Sequence, residues 1–172
     1  MNFSGINYES FSDGEGVRVS FFVSGCNRHC PGCFNPEAQN FNYGAPFHMG
    51  VLENVIAHVN LAYIDGLTVL GGEPMESENL YMTLWLAYET KRIGKSVWIY
   101  SGYTYEDLIA RNDNETNAVL EYTDVLVDGA YIESERDTSL PFRGSRNQRI
   151  IDVQRSLDAG EVVLYQPHPV SN

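Results

Sequence analysis

Apolar residues in this chain fall in short blocks punctuated by glycine, and the blocks alternate between two kinds of pattern. Val17 to Ser24 (Val-Arg-Val-Ser-Phe-Phe-Val-Ser) is dense in β-branched and aromatic residues and predicts a mostly buried strand. From Gly50 to Asn60 the apolar positions are Val51, Leu52, Val55, Ile56 and Val59, the stripe of an amphipathic helix. Leu67-Thr68-Val69-Leu70 predicts a second buried strand, running into Gly71-Gly72-Glu73-Pro74. A helix over about 77–93 follows, with Leu80, Leu84, Tyr88 and Trp85 turned inward, Lys91 and Arg92 in its last turn and Gly94 at its C-terminal cap. Ser96 to Tyr100 predicts a third strand ending at Ser101-Gly102-Tyr103. Thr104 with Asp107 resembles a capping box that opens a short helix through Arg111. Residues 112–115 read as a surface loop and 116–122 as a further helix. Asp124 to Val127 begins a fourth strand, ending at Asp128-Gly129.

The remaining stretches are less regular. Residues 1–16 are polar and glycine-bearing and close in a turn at 13–16, and residues 132–147 are charged and irregular. Residues 148–153 and 162–165 predict two more short strands.

Strand, helix, strand, helix is the order of parallel βαβ units, whose right-handed crossovers bring the C-terminal ends of the strands to one face. Ligands of open α/β sheets and barrels bind there. The cysteine-bearing loop after Ser24, Gly-Gly-Glu-Pro, Ser-Gly-Tyr and Asp-Gly each follow a predicted strand, so all four should meet at one site. The expected fold class is α/β, a partial, open (β/α) barrel with a mainly parallel sheet. A closed eightfold barrel needs roughly 200 residues or more, and the chain has 172. That length suits one domain, residues 1–172, with its organised core over about 13–153.

Composition changes this picture little. Hydrophobic residues at 43% and charged residues at 20% are those of an ordinary globular protein. A net charge of −12 argues against a nucleic-acid partner, which would require a basic face. No apolar run approaches the roughly 18 residues of a membrane span, so no membrane partner is expected. The first residues lack the basic and apolar regions of an export signal. With clustered free cysteines, this predicts a cytoplasmic location. A homodimer is compatible with the chain.

The chemistry is concentrated in Cys26-Asn27-Arg28-His29-Cys30-Pro31-Gly32-Cys33, which holds every cysteine in the chain at C-x3-C-x2-C spacing. Three thiolates this close can face one small volume, as a metal or iron–sulfur centre requires. An odd number cannot be consumed by internal disulfides. A site of four thiolates is excluded, and a cluster bound here would leave one iron open to a small molecule. A structural zinc ion held by the three thiolates with His29 or His48 is the alternative, and would make the chain a non-enzymatic adaptor.

Gly71-Gly72-Glu73-Pro74 reads alone as a tight turn or as part of a ligand site. Ser101 and Asp128, at strand ends, read as turn formers or as hydrogen-bonding ligands. Arg143, Arg146 and Arg149 form either a carboxylate- or phosphate-binding group or a solvated loop that balances Glu133, Glu135 and Asp137. His58 reads as a helix-surface residue and His168 as part of a tail.

C-x3-C-x2-C followed by Gly-Gly-Glu resembles the radical S-adenosylmethionine (SAM) superfamily. Within it the chain resembles the activating proteins of anaerobic ribonucleoside-triphosphate reductase over about residues 10–155. The likeness rests on Asp13-Gly14-x-Gly16-Val17-Arg18, Gly25-Cys26-x3-Cys30-Pro31-Gly32-Cys33-x-Asn35 and Gly71-Gly72-Glu73-Pro74. It continues through Tyr100-Ser101-Gly102-Tyr103, Val127-Asp128-Gly129 and Phe142-Arg143-Gly144-Ser145-x-Asn147-Gln148-Arg149. The differences are Glu15 where proline is usual, Phe34 where histidine is common, and Gly32 where many radical SAM loops carry an aromatic residue.

The resemblance implies that Cys26, Cys30 and Cys33 bind three irons of a [4Fe-4S] cluster, whose open iron chelates the amino and carboxylate groups of SAM. Gly71, Gly72 and Glu73 would contact the SAM amino group, Ser101 and Asp128 its amino acid or ribose, and Asn35 and Phe34 would fix the loop or cover the adenine. An electron from a flavodoxin-like donor would then split SAM into methionine and a 5′-deoxyadenosyl radical. The radical would take a hydrogen atom from a glycine of the reductase, its protein substrate, leaving a glycyl radical. An activase for another glycyl-radical enzyme, of the formate-lyase type, would carry the same signature.

Overall fold

The structure, a computed structural model, describes residues 1–167; His168 lies outside the described residues. Its strands are β1 (Asn2–Ser10), β2 (Arg18–Val23), β3 (Ala45–Pro46), β4 (Gly66–Gly71), β5 (Ser96–Tyr100), β6 (Val125–Asp128) and β7 (Arg149–Asp152). Its helices are α1 (Met49–Val59), α2 (Leu80–Arg92), α3 (Tyr105–Arg111), α4 (Asn114–Glu121) and α5 (Val153–Ala159). The strands form one sheet in the order β3-β1-β2-β4-β5-β6-β7. The β2–β4, β4–β5 and β5–β6 pairs are parallel, with antiparallel strands at both sides. The sheet stays open, as a partial barrel does. No helix among the described residues is long and apolar enough to cross a membrane.

Alternation along the strands gives the sheet two different faces. Val19, Phe21, Val23, Leu67, Val69, Val97, Ile99 and Leu126 point to one, where they pack against Leu52, Val55, Leu86, Leu108 and Val119 of the helices. Trp98, Val125 and Val127 point to the other and meet Phe142 and Tyr165 from outside the parallel strands. Arg18 is also buried, and its guanidinium donates to Thr68 Oγ1 at 2.7 Å, Leu67 O at 2.8 Å, and Ser96 O at 3.0 Å and Oγ at 2.9 Å. Burial lowers its pKa to about 10, opposed by Asp65 and Asp124. This arginine ties the starts of three strands together.

The four parallel strands, α1, and the capping box of Thr104 and Asp107 agree with the sequence reading. Four readings need correction. Residues 1–16 hold a strand, β1, whose register slips between Phe3 and Gly5; the irregularity puts Phe3, Ile6 and Tyr8 against one core and hides the period of two. Helix α2 starts only at Leu80 and buries Leu80, Met82, Thr83, Leu86, Ala87 and Thr90. Leu84 is half-buried, and Trp85 and Tyr88 lie outside at 45% and 37% exposure. Small residues at Thr83, Ala87 and Thr90 let the helix approach the sheet, and Thr83 Oγ1 donates to Pro74 O at 2.9 Å. The loop at 112–115 is shorter than expected, because Asp113 caps α4 by accepting from Thr116 N at 2.7 Å. Residues 162–165 contribute an isolated bridge, Leu164 to Ile151, not a strand.

Candidate cluster and ligand site

The four loops that follow β2, β4, β5 and β6 do converge. They line a cavity of about 460 Å³ whose wall includes Cys26, Cys30, Cys33, Gly71, Gly72, Glu73, Ser101, Gly102 and Gly129. Phe22, Leu70 and Tyr100 from the open face of the sheet form its floor side, and Tyr131, Leu140, Phe142, Arg143 and Gln148 close it from the segment between β6 and β7.

Backbone contacts fix the cysteine loop at its base. Gly25 N donates to Ala38 O at 2.7 Å and Cys26 N to Gln39 O at 3.1 Å, so both ends of the loop are clamped together. Glu73 N donates to Gly25 O at 2.9 Å and Gly72 N to Val23 O at 2.8 Å, pressing the end of β4 against this clamp. A Cβ on Gly72 would lie 2.6 Å from Gly25 O and 2.8 Å from Ala38 O, and one on Gly71, at φ +108°, would lie 2.8 Å from Val23 O. The two glycines are therefore demanded by close approach of backbones. The buried Asn79 amide completes the join, donating to Ser24 O at 3.1 Å and Glu73 O at 3.0 Å.

Glu73 is fully buried. Its Oε1 accepts from Met75 N at 2.9 Å and Ser101 Oγ at 2.8 Å, and its Oε2 from Gly102 N at 2.7 Å. Burial raises its pKa, and these donors and nearby Arg28 oppose the rise. Thus Glu73 and Ser101 join the loops after β4 and β5 while lining the cavity.

The three cysteines are free thiols, each half-buried. Burial pushes the Cys26 thiol up to about 11, with the charges of Glu73, Glu76 and Cys30 adding to the rise and a backbone hydrogen bond from Arg28 opposing it. A metal centre must displace that proton. The donor set fits a four-iron cluster with one open iron: three unpaired thiols share a cavity with room left for a ligand. Among the described residues no three His, Cys, Asp or Glu side chains, these thiols included, stand close enough together to hold a single metal ion. His29 bonds Gln39 Oε1 at 2.8 Å, and His48 precedes α1; neither lines the cavity.

Other expected residues are placed as follows. Phe34 is fully exposed at the cavity rim, and Asn35 lines the wall without capping the short 3-10 turn behind it. Gly32 has φ +71°, a backbone conformation that an aromatic residue would adopt only under strain, and a Cβ there would meet the end of the exposed Glu133 side chain at 2.7 Å. Asp128 is not on the cavity wall. Its buried carboxylate accepts from Tyr105 N at 2.8 Å and from Arg149 Nε at 3.0 Å and Nη2 at 2.5 Å. Hydrogen bonds from Arg149 to Asp128 and Glu106 hold that guanidinium above its ordinary range. The three arginines do not form a cluster: Arg143 lines the cavity and donates to Gln148 O at 3.1 Å, Arg146 faces Asp137 at 4.0 Å, and Arg149 turns to Asp128.

Several residues have no role in the sequence reading, although Tyr103, Ser145, Asn147 and Gln148 stand in motifs that carry the resemblance. Glu76 accepts from Asn27 in the cysteine loop, and Tyr103 carries Arg28 and Arg111 against its ring at 4.7 and 4.2 Å. The segment from 129 to 148 folds on itself through Ser145, Asn147 and Gln148. Asn147 Nδ2 donates to Ala130 O at 2.8 Å, Gln148 Nε2 to Gly129 O at 2.9 Å, and Gly144 N to Gln148 Oε1 at 2.8 Å. Its unusual length was the available signal, because long loops without secondary structure commonly carry function.

Comparison with known proteins agrees with this geometry. A family model described as a 4Fe-4S single cluster domain matches residues 12–151. The chain is 37% identical over 142 residues to the anaerobic ribonucleoside-triphosphate reductase-activating protein of Haemophilus influenzae, covering 80% of this chain and 89% of the relative. The protein of the same name from Enterobacteria phage T4 is 34% identical over 154 residues, covering 87% and 93%. That from Vibrio cholerae is 37% identical over 142 residues, covering 80% and 89%.

Proposed function

The chain belongs to the family of anaerobic ribonucleoside-triphosphate reductase-activating proteins, and from that premise we propose that it is a radical SAM activase that installs a glycyl radical in that reductase. The observation that carries this reading is the meeting of three free thiols with the Gly71-Gly72-Glu73 and Ser101-Gly102 loops on one cavity at the C-terminal ends of parallel strands. Cys26, Cys30 and Cys33 would hold a [4Fe-4S] cluster, leaving one iron toward the remaining space. A cluster and SAM held there would supply one-electron cleavage of the sulfonium carbon–sulfur bond to methionine and a 5′-deoxyadenosyl radical, which would become 5′-deoxyadenosine by taking a hydrogen atom from a reductase glycine and so leave the glycyl radical.

This chain's own residues bind, orient and exclude water. The Gly71-Gly72-Glu73 segment meets the SAM amino group, with the Glu73 carboxylate fixing that segment against Ser101 and Gly102. Asn35 offers hydrogen bonds from the wall, Ser101 Oγ, which donates to Glu73 and accepts from Tyr103 N, has one acceptor position left for a ligand, and exposed Phe34 covers the adenine from the rim. Asp128 acts from behind the wall, anchoring Arg149 and the start of α3. The electron comes from a flavodoxin-like protein, and the open mouth admits the glycine-bearing segment of the reductase.

The test is anaerobic incubation of the iron-loaded chain with the reductase, SAM and a reductant, followed by electron paramagnetic resonance. A glycyl-radical doublet that requires all components supports the reading. A doublet formed only with a formate-lyase-type enzyme would reassign the chain to that partner.

A further inference from the structure

Glu76 lies three residues beyond Glu73 and is 6% exposed. Its Oε1 accepts from Asn27 N at 3.0 Å and from Tyr103 Oη at 3.2 Å, and its Oε2 accepts from Asn27 Nδ2 at 3.2 Å. Asn27 immediately follows Cys26. A single carboxylate therefore grips the cysteine loop twice, at backbone and side chain of one residue. The backbone beneath it is equally fixed: Glu76 O accepts from Asn79 N at 2.8 Å and Leu80 N at 3.1 Å, at the start of α2. Tyr103 is held in turn by the guanidinium groups of Arg28 and Arg111, and Arg111 Nη1 donates to Met75 O at 2.6 Å. Three loops that otherwise meet only around the cavity are thus joined a second time behind it.

We propose that Glu76 is a positioning residue for the cluster: it orients the loop through Asn27 and keeps a fixed negative charge beside the first ligand, Cys26, which holds the reduction potential down. The inference rests on the cluster reading above. Reduction adds an electron to the centre, and a nearby buried negative charge disfavours that addition while hydrogen bonding to the loop sets its geometry. Among the charged groups nearby, Glu73 acts in the same direction; Arg28, stacked on Tyr103, opposes it. Reductive cleavage of a sulfonium requires a strongly reducing electron, so a device that lowers the potential serves the proposed reaction directly.

The experiment is a redox titration of the reconstituted cluster, followed by electron paramagnetic resonance, in wild type, Glu76→Gln and Glu121→Gln. Glu121→Gln removes the same charge from an exposed position at the end of α4, before β6 begins and outside the cavity and the groove around Glu76. Glu76→Gln should raise the reduced-to-oxidised ratio at a given solution potential by about tenfold, a shift of about 59 mV for a one-electron couple, while Glu121→Gln leaves it in place. Full iron content with an unshifted potential in Glu76→Gln overturns the inference. If Glu76→Gln takes up no iron, Glu76→Asp decides. Uptake at the wild-type potential supports a role for the charge, and failure there too overturns it in favour of packing. A wild-type chain without a cluster is a separate result, because it removes the reading on which the inference stands.

Discussion

Ser101 Oγ donates to the buried Glu73 carboxylate at 2.8 Å, and this contact joins the loops after two neighbouring parallel strands. Gly102 N donates to the other oxygen at 2.7 Å, so a strand-end dipeptide satisfies both sides of one buried acid. The cavity wall between these loops is therefore rigid before any ligand arrives. Replacing Glu73 by glutamine should cost about 1–3 kcal/mol, because an amide cannot accept at both ends and one donor loses its partner inside the protein. Ser101→Ala should cost about 1 kcal/mol, since Glu73 keeps two backbone donors. Denaturant unfolding of the metal-free chain measures both; equal, negligible losses would contradict the coupling.

Cys26→Ala, Cys30→Ala and Cys33→Ala should each abolish SAM cleavage and lower iron and sulfide content, because three thiolates are the fewest that leave only one iron open. Iron analysis and product chromatography check this. Turnover retained by any one of the variants would overturn the assignment of the ligands.

Gly72→Ala should displace the base of the cysteine loop, since the added methyl meets two carbonyl oxygens that have no side-chain freedom. The expected loss is about 1–3 kcal/mol, with iron uptake reduced. Gly94→Ala is the control: φ is +76° but nothing lies within 4 Å of the new methyl. It should cost about 1 kcal/mol in backbone strain and leave iron uptake unchanged.

Glu106 is held below the ordinary carboxylate range, chiefly by its hydrogen bonds from Arg149. A depressed folded-state pKa means stability that is fully present above the unfolded value of about 4.3 and lost as pH falls through the lower folded value. Glu106 is largely exposed, so the contribution is small. Glu106→Gln should lower stability at pH 7 by less than about 1 kcal/mol, and the gap from wild type should close below about pH 4. A gap unchanged between pH 7 and pH 3 would show that the pair contributes nothing through its charge.

The parallel strands were legible because strands covered on both faces are nearly continuous apolar runs, as in Val17–Ser24 and Ser96–Tyr100. Each also ends in glycine-bearing loops. The site was legible for the same reason: strand direction alone brings Cys26, Gly72 and Ser101 to one end. Strand β1 was hidden by its irregular register, and the buried face of α2, a helix the sequence does predict, by aromatic residues that a helix wheel turns inward but that lie outside in the structure. Asp128 shows the limit of position as a guide, since a strand-end acid can face Arg149 behind the wall as readily as the cavity. Glu76 went unseen because its role depends on a partner, Asn27, from a loop distant in sequence.

The most direct test is anaerobic reconstitution with iron and sulfide, followed by reduction in the presence of SAM and the reductase, whose glycine supplies the hydrogen atom. The expected result is a brown protein with about four irons and four sulfides per chain, releasing methionine and 5′-deoxyadenosine when reduced. A colourless chain holding one zinc ion, or a fully loaded cluster that leaves SAM intact under reduction, would contradict it.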